Sequence, residues 1–281
     1  MLLACGAVQS STSVDYAAAV AAPGRPADMI KFDAAWKPAA VLEFLQLEPR
    51  MHVLDIPADA GYYSEIMARV VGPEGHVIAL VYDEKARADF APLRARNPNI
   101  SFQPLQVHAI RPDSLTPDHF DFVLLHLMYH DVYWEDEKAG APHVDPANVL
   151  AALYRAVKPG GIVGIIDFVG KPGDPRVIVN QLHRIDPARV RADFEGAGFV
   201  FEARSDLLHV ANDDHTILVF DPTIRGKTDK FVSRFRKPRT QLAARTPHRL
   251  SAAVESSPCS TTPARIARCA HLTPDTAADT P

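Results

Sequence analysis

The stretch Val53-Leu-Asp-Ile-Pro-Ala-Asp-Ala-Gly-Tyr-Tyr-Ser64 is an apolar run carrying an acid, then a tight turn of small residues, then the start of the amphipathic run Glu65-Ile-Met-Ala-Arg-Val-Val71. A strand that enters a helix through such a turn sets backbone N–H groups and the positive end of a helix dipole at one sheet edge, where a charged, nucleotide-like ligand can be held. The same rhythm extends outward. Met51 to Ile56 predicts a strand, Gly61 to Val71 a helix, and Gly72-Pro-Glu-Gly75 a turn. His76 to Val81 predicts a second strand, Glu84 to Arg96 a helix, and Ile100 to Phe102 a short third strand.

Asp121 to His126 follows as strand four, Ala147 to Val157 as a helix, and Gly161 to Asp167 as strand five. Pro187 to Ala197 predicts another helix and Phe199 to Ala203 a strand, while Lys230 to Phe235 alternates apolar with charged residues, as an edge-proximal strand does. Short apolar runs alternating with amphipathic helices imply βαβ units, so the fold class is α/β with a doubly wound, mostly parallel sheet. Upstream, Val41, Leu42, Phe44 and Leu45 recur at helical spacing after Pro38, which predicts a helix capping the sheet edge.

The chain has 281 residues, 47% hydrophobic and 23% charged, enough for one large domain with tails. Its formal net charge of −4 gives no general attraction to phosphate backbones, so no nucleic-acid partner is expected. Cys5, Cys259 and Cys269 lie outside the periodic region, and no metal site is expected in the core. No run reaches the ~18 to 20 apolar residues of a membrane-spanning helix.

Residues 1–36 are expected to be a leader or flexible arm, 37–238 the domain, and 239–281 a low-complexity, disordered tail, because the last segment has no aromatic residue and no glycine. The tail is also open to reading as a read-through or frameshifted extension. Met1-Leu-Leu-Ala-Cys5 matches the end of a lipoprotein signal but lacks a basic n-region. Two readings follow: a start upstream, with export and anchoring at Cys5, or a chance match in a cytoplasmic protein.

The opening stretch resembles motif I of the class I S-adenosylmethionine (SAM) dependent methyltransferases, hydrophobic-hydrophobic-Asp/Glu-x-Gly-x-Gly-x-Gly. Lys158-Pro-Gly-Gly161 resembles the turn that leads into their fifth strand. Tyr129-His-Asp-Val-Tyr-Trp134, His183-Arg-Ile-Asp186, Asp213-Asp-His-Thr216 and Phe220 to Asp229 resemble a bacterial group classed by sequence as methyltransferases. The resemblance covers about residues 27 to 238. It implies a seven-stranded Rossmann-like sheet in the order 3-2-1-4-5-7-6 and SAM as cofactor; the expected function is methyl transfer to an unidentified small-molecule acceptor, which the resemblance does not itself specify.

Carried over residue by residue, the resemblance places Asp55 at the motif I acid and Gly61 at its last glycine, with Pro57 and Asp59 in the other two glycine slots. Pro57 has no N–H, and Asp59 adds negative charge where the methionine end of SAM lies. Val81 stands where an acid accepts the ribose hydroxyls; Asp83 or Glu84 is the substitute, or both are acids opening a helix. Gln106-Val-His108 would line the adenine, and His126 would face the methyl group or simply pack at its strand end.

Methyl transfer to oxygen or nitrogen needs alignment and a base. The candidates are His130, Asp131 and Tyr129 after strand four and Asp167 at the end of strand five, with His130 first as base. Asp186 reads as an N-cap, His183 and Arg184 as possible acceptor contacts, and Asp213, Asp214 and His215 as a polar loop in preference to a metal set. Arg225, Lys227 and Asp229 are expected to close the fold through ion pairs. The competing function is a methyltransferase-fold binding or regulatory module without catalysis. A dinucleotide oxidoreductase fits poorly, since Asp59 would repel a pyrophosphate.

Overall fold

Seven apolar runs pair into one sheet in a computed structural model that describes residues 14–82 and 90–239. The strands are β1 (His52–Ile56), β2 (His76–Val81), β3 (Ile100–Pro104), β4 (Phe120–His126), β5 (Val157–Phe168), β6 (Val200–Ser205) and β7 (Lys230–Arg236), in the spatial order β3-β2-β1-β4-β5-β7-β6. Only the pairs made by β7 are antiparallel. This is the α/β sheet and strand order expected. The order reverses between β1 and β4, so their C-terminal ends flank a crevice, the usual ligand position in an open α/β sheet.

Helices cover both faces. Helices α1 (Tyr16–Ala21), α2 (Ala27–Ile30), α3 (Asp33–Trp36), α4 (Pro38–Leu45), α5 (Tyr62–Val71) and α6 (Ala91–Arg96) precede β3, and α7 (Pro146–Ala156), α8 (Pro175–Leu182) and α9 (Pro187–Gly196) lie further along the chain. The last three begin alike, at Asp145, Asp174 and Asp186, whose carboxylates accept the N–H groups of Ala147, Arg176 and Ala188 at 2.8–2.9 Å, each followed by proline in the first turn. Each side chain satisfies a donor that the helix leaves open, and each proline lacks one to satisfy.

The segment before Lys37, set aside above as a leader or arm, holds α1 to α3 within its described part and is tied to the domain. Arg25, 6% exposed, grips Asp33 at 2.7 and 2.8 Å, and Tyr62 of α5 donates to the same carboxylate at 2.7 Å. Arg69 donates to the carbonyls of Ala22 and Pro23 at 3.0 and 3.2 Å. Helix α5 is thus buried on two sides, between the sheet and this segment, and nearly all its residues are buried. The proposed tail from 240 onward, the signal-like start with Cys5, and Asp83 and Glu84 lie outside the described residues.

Arg184, Asp213, His215 and Asp229 form a buried lock for the long connection between β6 and β7. The Arg184 guanidinium is fully buried, donating to Ile217 and Val169 carbonyls and to Asp213 at 3.0 Å. Asp213 in turn accepts the Asp229 N–H at 2.7 Å, and Asp229 pairs with His209 and His215 at 3.0 and 2.9 Å. Arg184 therefore holds the fold rather than reaching an acceptor. Removing one partner of a buried ion pair costs about 3–5 kcal/mol. Arg184→Met is expected to lose stability of that order, read as a lower denaturant midpoint in urea unfolding.

Candidate functional site

The site is built from the turn after β1. The N–H of Ala58 donates to the Leu80 carbonyl of β2 at 2.9 Å, so the turn is fastened to the neighbouring strand. Asp59 adopts φ +44° and Gly61 φ +82°. Two of the motif's glycine slots thus keep the left-handed backbone, one of them occupied by aspartate, which tolerates that region better than most residues. Gly61 then caps α5, which places the N-terminus of that helix beside Asp55.

Asp55 is 1% exposed. Ser64, in the first turn of α5, donates to its Oδ2 at 2.5 Å, while its Oδ1 has no hydrogen-bond partner among the described residues. Burial pushes its carboxyl up to about 7 despite the Ser64 bond, and the Asp59 charge pushes the same way. Asp59 stands on the rim; the protein packed around the turn and the Asp131 carboxylate raise it to about 6.

Facing Asp55 is a cavity of about 110 Å³ whose walls include Phe32, Trp36, Tyr62, Tyr63 and His126. The Trp36 ring meets Tyr62 and His126 edge-on at 4.7 and 4.8 Å, and His126 meets Tyr63 at 4.8 Å. The Tyr63 hydroxyl is also buried, without a partner among the described residues. Burial, with the Lys230 charge, drives His126 down to about 3, so it is a neutral ring here. A carboxylate with a free lone pair among aromatic faces is chemically suited to an organic cation.

On the other side of Pro57 a narrow gap runs between Val81, Tyr82, Gln106, Met128 and Asp131. Val81 presents no oxygen there. Gln106 reaches the Tyr82 carbonyl at 3.4 Å, and His108 Nε2 lies 3.0 Å from the Asp131 carbonyl. Asp131 belongs to a 3₁₀ turn, Tyr129–Val132, that follows β4.

That turn carries the second group of candidates. Asp167, fully buried at the end of β5, accepts the backbone N–H of His130 at 2.9 Å and meets His130 Nδ1 at 2.7 Å. His130 Nε2 lies 3.2 Å from Asp131 Oδ1, and His183 Nδ1 lies 3.8 Å from the same oxygen. Against burial, which lowers it, the Asp167 and Asp131 carboxylates raise His130 to about 9. The fold thus brings together Asp55, Asp59, Gly61, Pro57 and His126 on one side, and His130, Asp131 and Asp167 on the other, with His108 beside Asp131. Tyr129 is not brought in, because its hydroxyl donates to Asp193 of α9 at 2.9 Å.

Sequence reasoning did not assign Trp36, Phe32, Tyr62 or Tyr63 to the site. The cluster Phe32, Trp36, Tyr62, Tyr63 was visible as aromatic density, but aromatics usually mark a core. His183 was considered only as an acceptor contact.

Residues 28–101 match the protein-L-isoaspartate(D-aspartate) O-methyltransferase family. A protein-L-isoaspartate O-methyltransferase of Methanothermobacter thermautotrophicus is 43% identical over 54 residues, 17% of this chain and 24% of the relative, so the chain matches about a quarter of that protein's length. Among solved structures, a SAM-dependent methyltransferase from Aquifex aeolicus superposes with a TM-score of 0.53 at 20% identity, covering 76% of this chain and 99% of that one. An S-adenosylmethionine-dependent methyltransferase from Mesorhizobium loti gives a TM-score of 0.50 at 17% identity, with 73% and 99% covered.

The raised carboxyl of Asp55 carries a sign. Between pH 4 and 7 the folded state holds a proton that the unfolded state has lost, so this group's contribution to stability falls as pH rises through that window. Asp55→Asn removes it. The stability of the unliganded protein relative to Asp55→Asn should decline from pH 4 to 7, by a total on the order of a few kcal/mol. Urea unfolding of both proteins across that range measures it.

Proposed function

We propose that this chain, which belongs by fold to the class I SAM-dependent methyltransferases, binds SAM at the C-terminal ends of β1 and β4 and transfers its methyl group to a small-molecule acceptor. The observation that carries this reading is the buried Asp55 carboxylate, one oxygen bonded to Ser64 and the other free, facing an aromatic box. Bound there, SAM supplies an electrophilic methyl group on a sulfonium and an ammonium that needs carboxylate partners. Asp55 and Asp59 are those partners, Trp36, Tyr62 and Tyr63 offer ring faces to the cation, and Gly61 opens the helix N-terminus beside them.

On the adenosine side Val81 and Pro57 supply walls without hydrogen bonds, and Gln106 and His108 are the polar groups at hand, with Asp83 as the candidate ribose partner. The cavity of about 110 Å³ is smaller than the roughly 300 Å³ at which pockets for molecules of this size begin, so Phe32 and Trp36 have to shift when SAM enters. His126 closes the box as a neutral ring.

Acceptor alignment falls to the group on the other side of Asp131. Asp167 fixes the His130 ring, and His130, Asp131 and His183 lie recessed among Trp134, Phe168 and Phe220. A recessed polar end suits a small molecule better than the surface of a folded protein. The match to protein-methylating enzymes covers residues 28–101, the cofactor half, and so does not carry their acceptor to this chain.

A second reading, a binding module of this fold without catalysis, is favoured by Val81 at the ribose position and by the small cavity. Thermal unfolding in the presence of SAM and of S-adenosylhomocysteine separates the two. Saturable stabilisation, about 2.7 kcal/mol at a hundredfold excess over Kd, is expected of the wild type and not of Asp55→Ala. No shift with either ligand at millimolar concentration would discard the methyltransferase reading.

A further inference from the structure

The residues beyond Asp131 form a group that methyl transfer as such does not require. His130, Asp131 and His183 each place one potential ligand atom within 4.8 Å of the others, and Asp131 Oδ1 lies 3.2 Å from His130 Nε2 and 3.8 Å from His183 Nδ1. His130 and Asp131 come from the turn after β4, and His183 from the C-cap of α8, where φ +49° turns its ring back toward that turn. We propose that these three side chains are the ligands of a divalent first-row transition ion of the Zn²⁺ type.

Ligands about 2.0–2.1 Å from a tetrahedral metal are about 3.3 Å apart. Two of the separations here, 3.2 and 3.8 Å around Asp131 Oδ1, are already near that value. The surroundings add an independent argument. A metal-bound histidine usually has its other ring nitrogen held by a carboxylate, which sets the tautomer and aims the free nitrogen. Asp167 does this to His130, whose Nε2 proton an incoming ion would displace, and is itself fixed by the N–H groups of His130 and Phe168 at 2.9 and 2.8 Å.

His183 Nδ1 gives the second indication. Among the described residues it is a buried polar atom without a hydrogen-bond partner, since 3.8 Å to Asp131 is too long for one. Buried polar atoms are otherwise satisfied almost everywhere in proteins, and a ring nitrogen left open beside a carboxylate and a second imidazole is what an ion would fill. Two imidazoles and one carboxylate favour zinc, iron, cobalt or nickel over magnesium or calcium, which prefer all-oxygen shells. The rings of Trp134, Phe168 and Phe220 stand beside the two histidines, with ring centroids 4.9–5.8 Å apart.

Three protein ligands leave a fourth tetrahedral position for water or for an oxygen or nitrogen of the acceptor. Only that last role rests on the methyltransferase reading; the metal site does not.

The test uses the full chain, freed of metal with a chelator and titrated with Zn²⁺ by calorimetry and with Co²⁺ by visible absorption. One equivalent should bind saturably, Co²⁺ should give the intense bands of a four-coordinate nitrogen and oxygen site, and Mg²⁺ should not compete. Because His130 is in the core, the half-buried partners carry the variants: His183→Gln and Asp131→Asn should weaken Zn²⁺ binding at least a hundredfold. Asp167→Asn should weaken it about 10–100-fold, as loss of a supporting carboxylate does. No stoichiometric binding, a thiolate charge-transfer band, or affinity unchanged in both ligand variants would overturn the site. SAM stabilisation measured on the same samples separates the claims, since metal binding without a SAM response discards the methyltransferase reading alone, and the reverse discards the metal alone.

Discussion

A carboxylate buried at the end of a central strand, with one oxygen bonded and the other open, is the constraint around which the rest of the molecule is arranged. Keeping Asp55 charged costs solvation, and Ser64 returns only part of it. The position is tolerated because the helix N-terminus of α5 lies beside it, while the aromatic faces, the neutral histidine and the Asp59 charge around it all favour its protonated form. An arrangement of that kind is destabilising when vacant and complementary to an organic cation, so stability and binding pull against each other at this residue.

The N-terminal segment follows from the same constraint. Arg25, Asp33 and Tyr62 form one hydrogen-bonded unit that fastens α3 to α5, and this unit carries Phe32 and Trp36 over Asp55. Cover and corner share Tyr62, so a displaced cover also disturbs the first turn of the helix that caps the acid. Across the sheet, the connection between β6 and β7 is closed by a comparable device, the Arg184–Asp213–Asp229 lock, which follows directly on His183 in the chain. Holding Arg184 rigid also holds the α8 C-cap from which His183 projects.

Much of the fold was legible in the sequence. All seven strands and their order were expected, because buried parallel strands are short apolar runs, the βαβ repeat is regular, and the order followed from the motif I and Lys158–Gly161 resemblance. Helix α8 is not legible from periodicity although Asp174-Pro175 carries the same cap signal as Asp186-Pro187, since Arg176, Asn180 and Gln181 interrupt its apolar stripe. Residues 14–36 read as an arm because each helix there is only four to six residues long, too short for a 3.6-residue period to register. The polar reading of the Asp213–His215 loop agrees with its hydrogen bonds, while Arg184, weighed as an acceptor contact, is a buried strut.

The sequence by itself determined the α/β class and the corner at Asp55, because these depend on local hydrophobic period and on a turn whose residues are contiguous; the strand order came from the resemblance to the methyltransferases, not from the period. The tertiary structure alone decided what surrounds that corner. Trp36 meets His126, and His130 meets His183, across 90 and 53 positions of chain, and no local pattern encodes which distant rings a fold will bring within 6 Å of each other. The backbone of the turn was decided there too: Asp59 takes a left-handed conformation at a motif glycine slot, in a loop fastened by the Ala58 N–H to Leu80 of β2 and by the Gly61 N–H to Ala58.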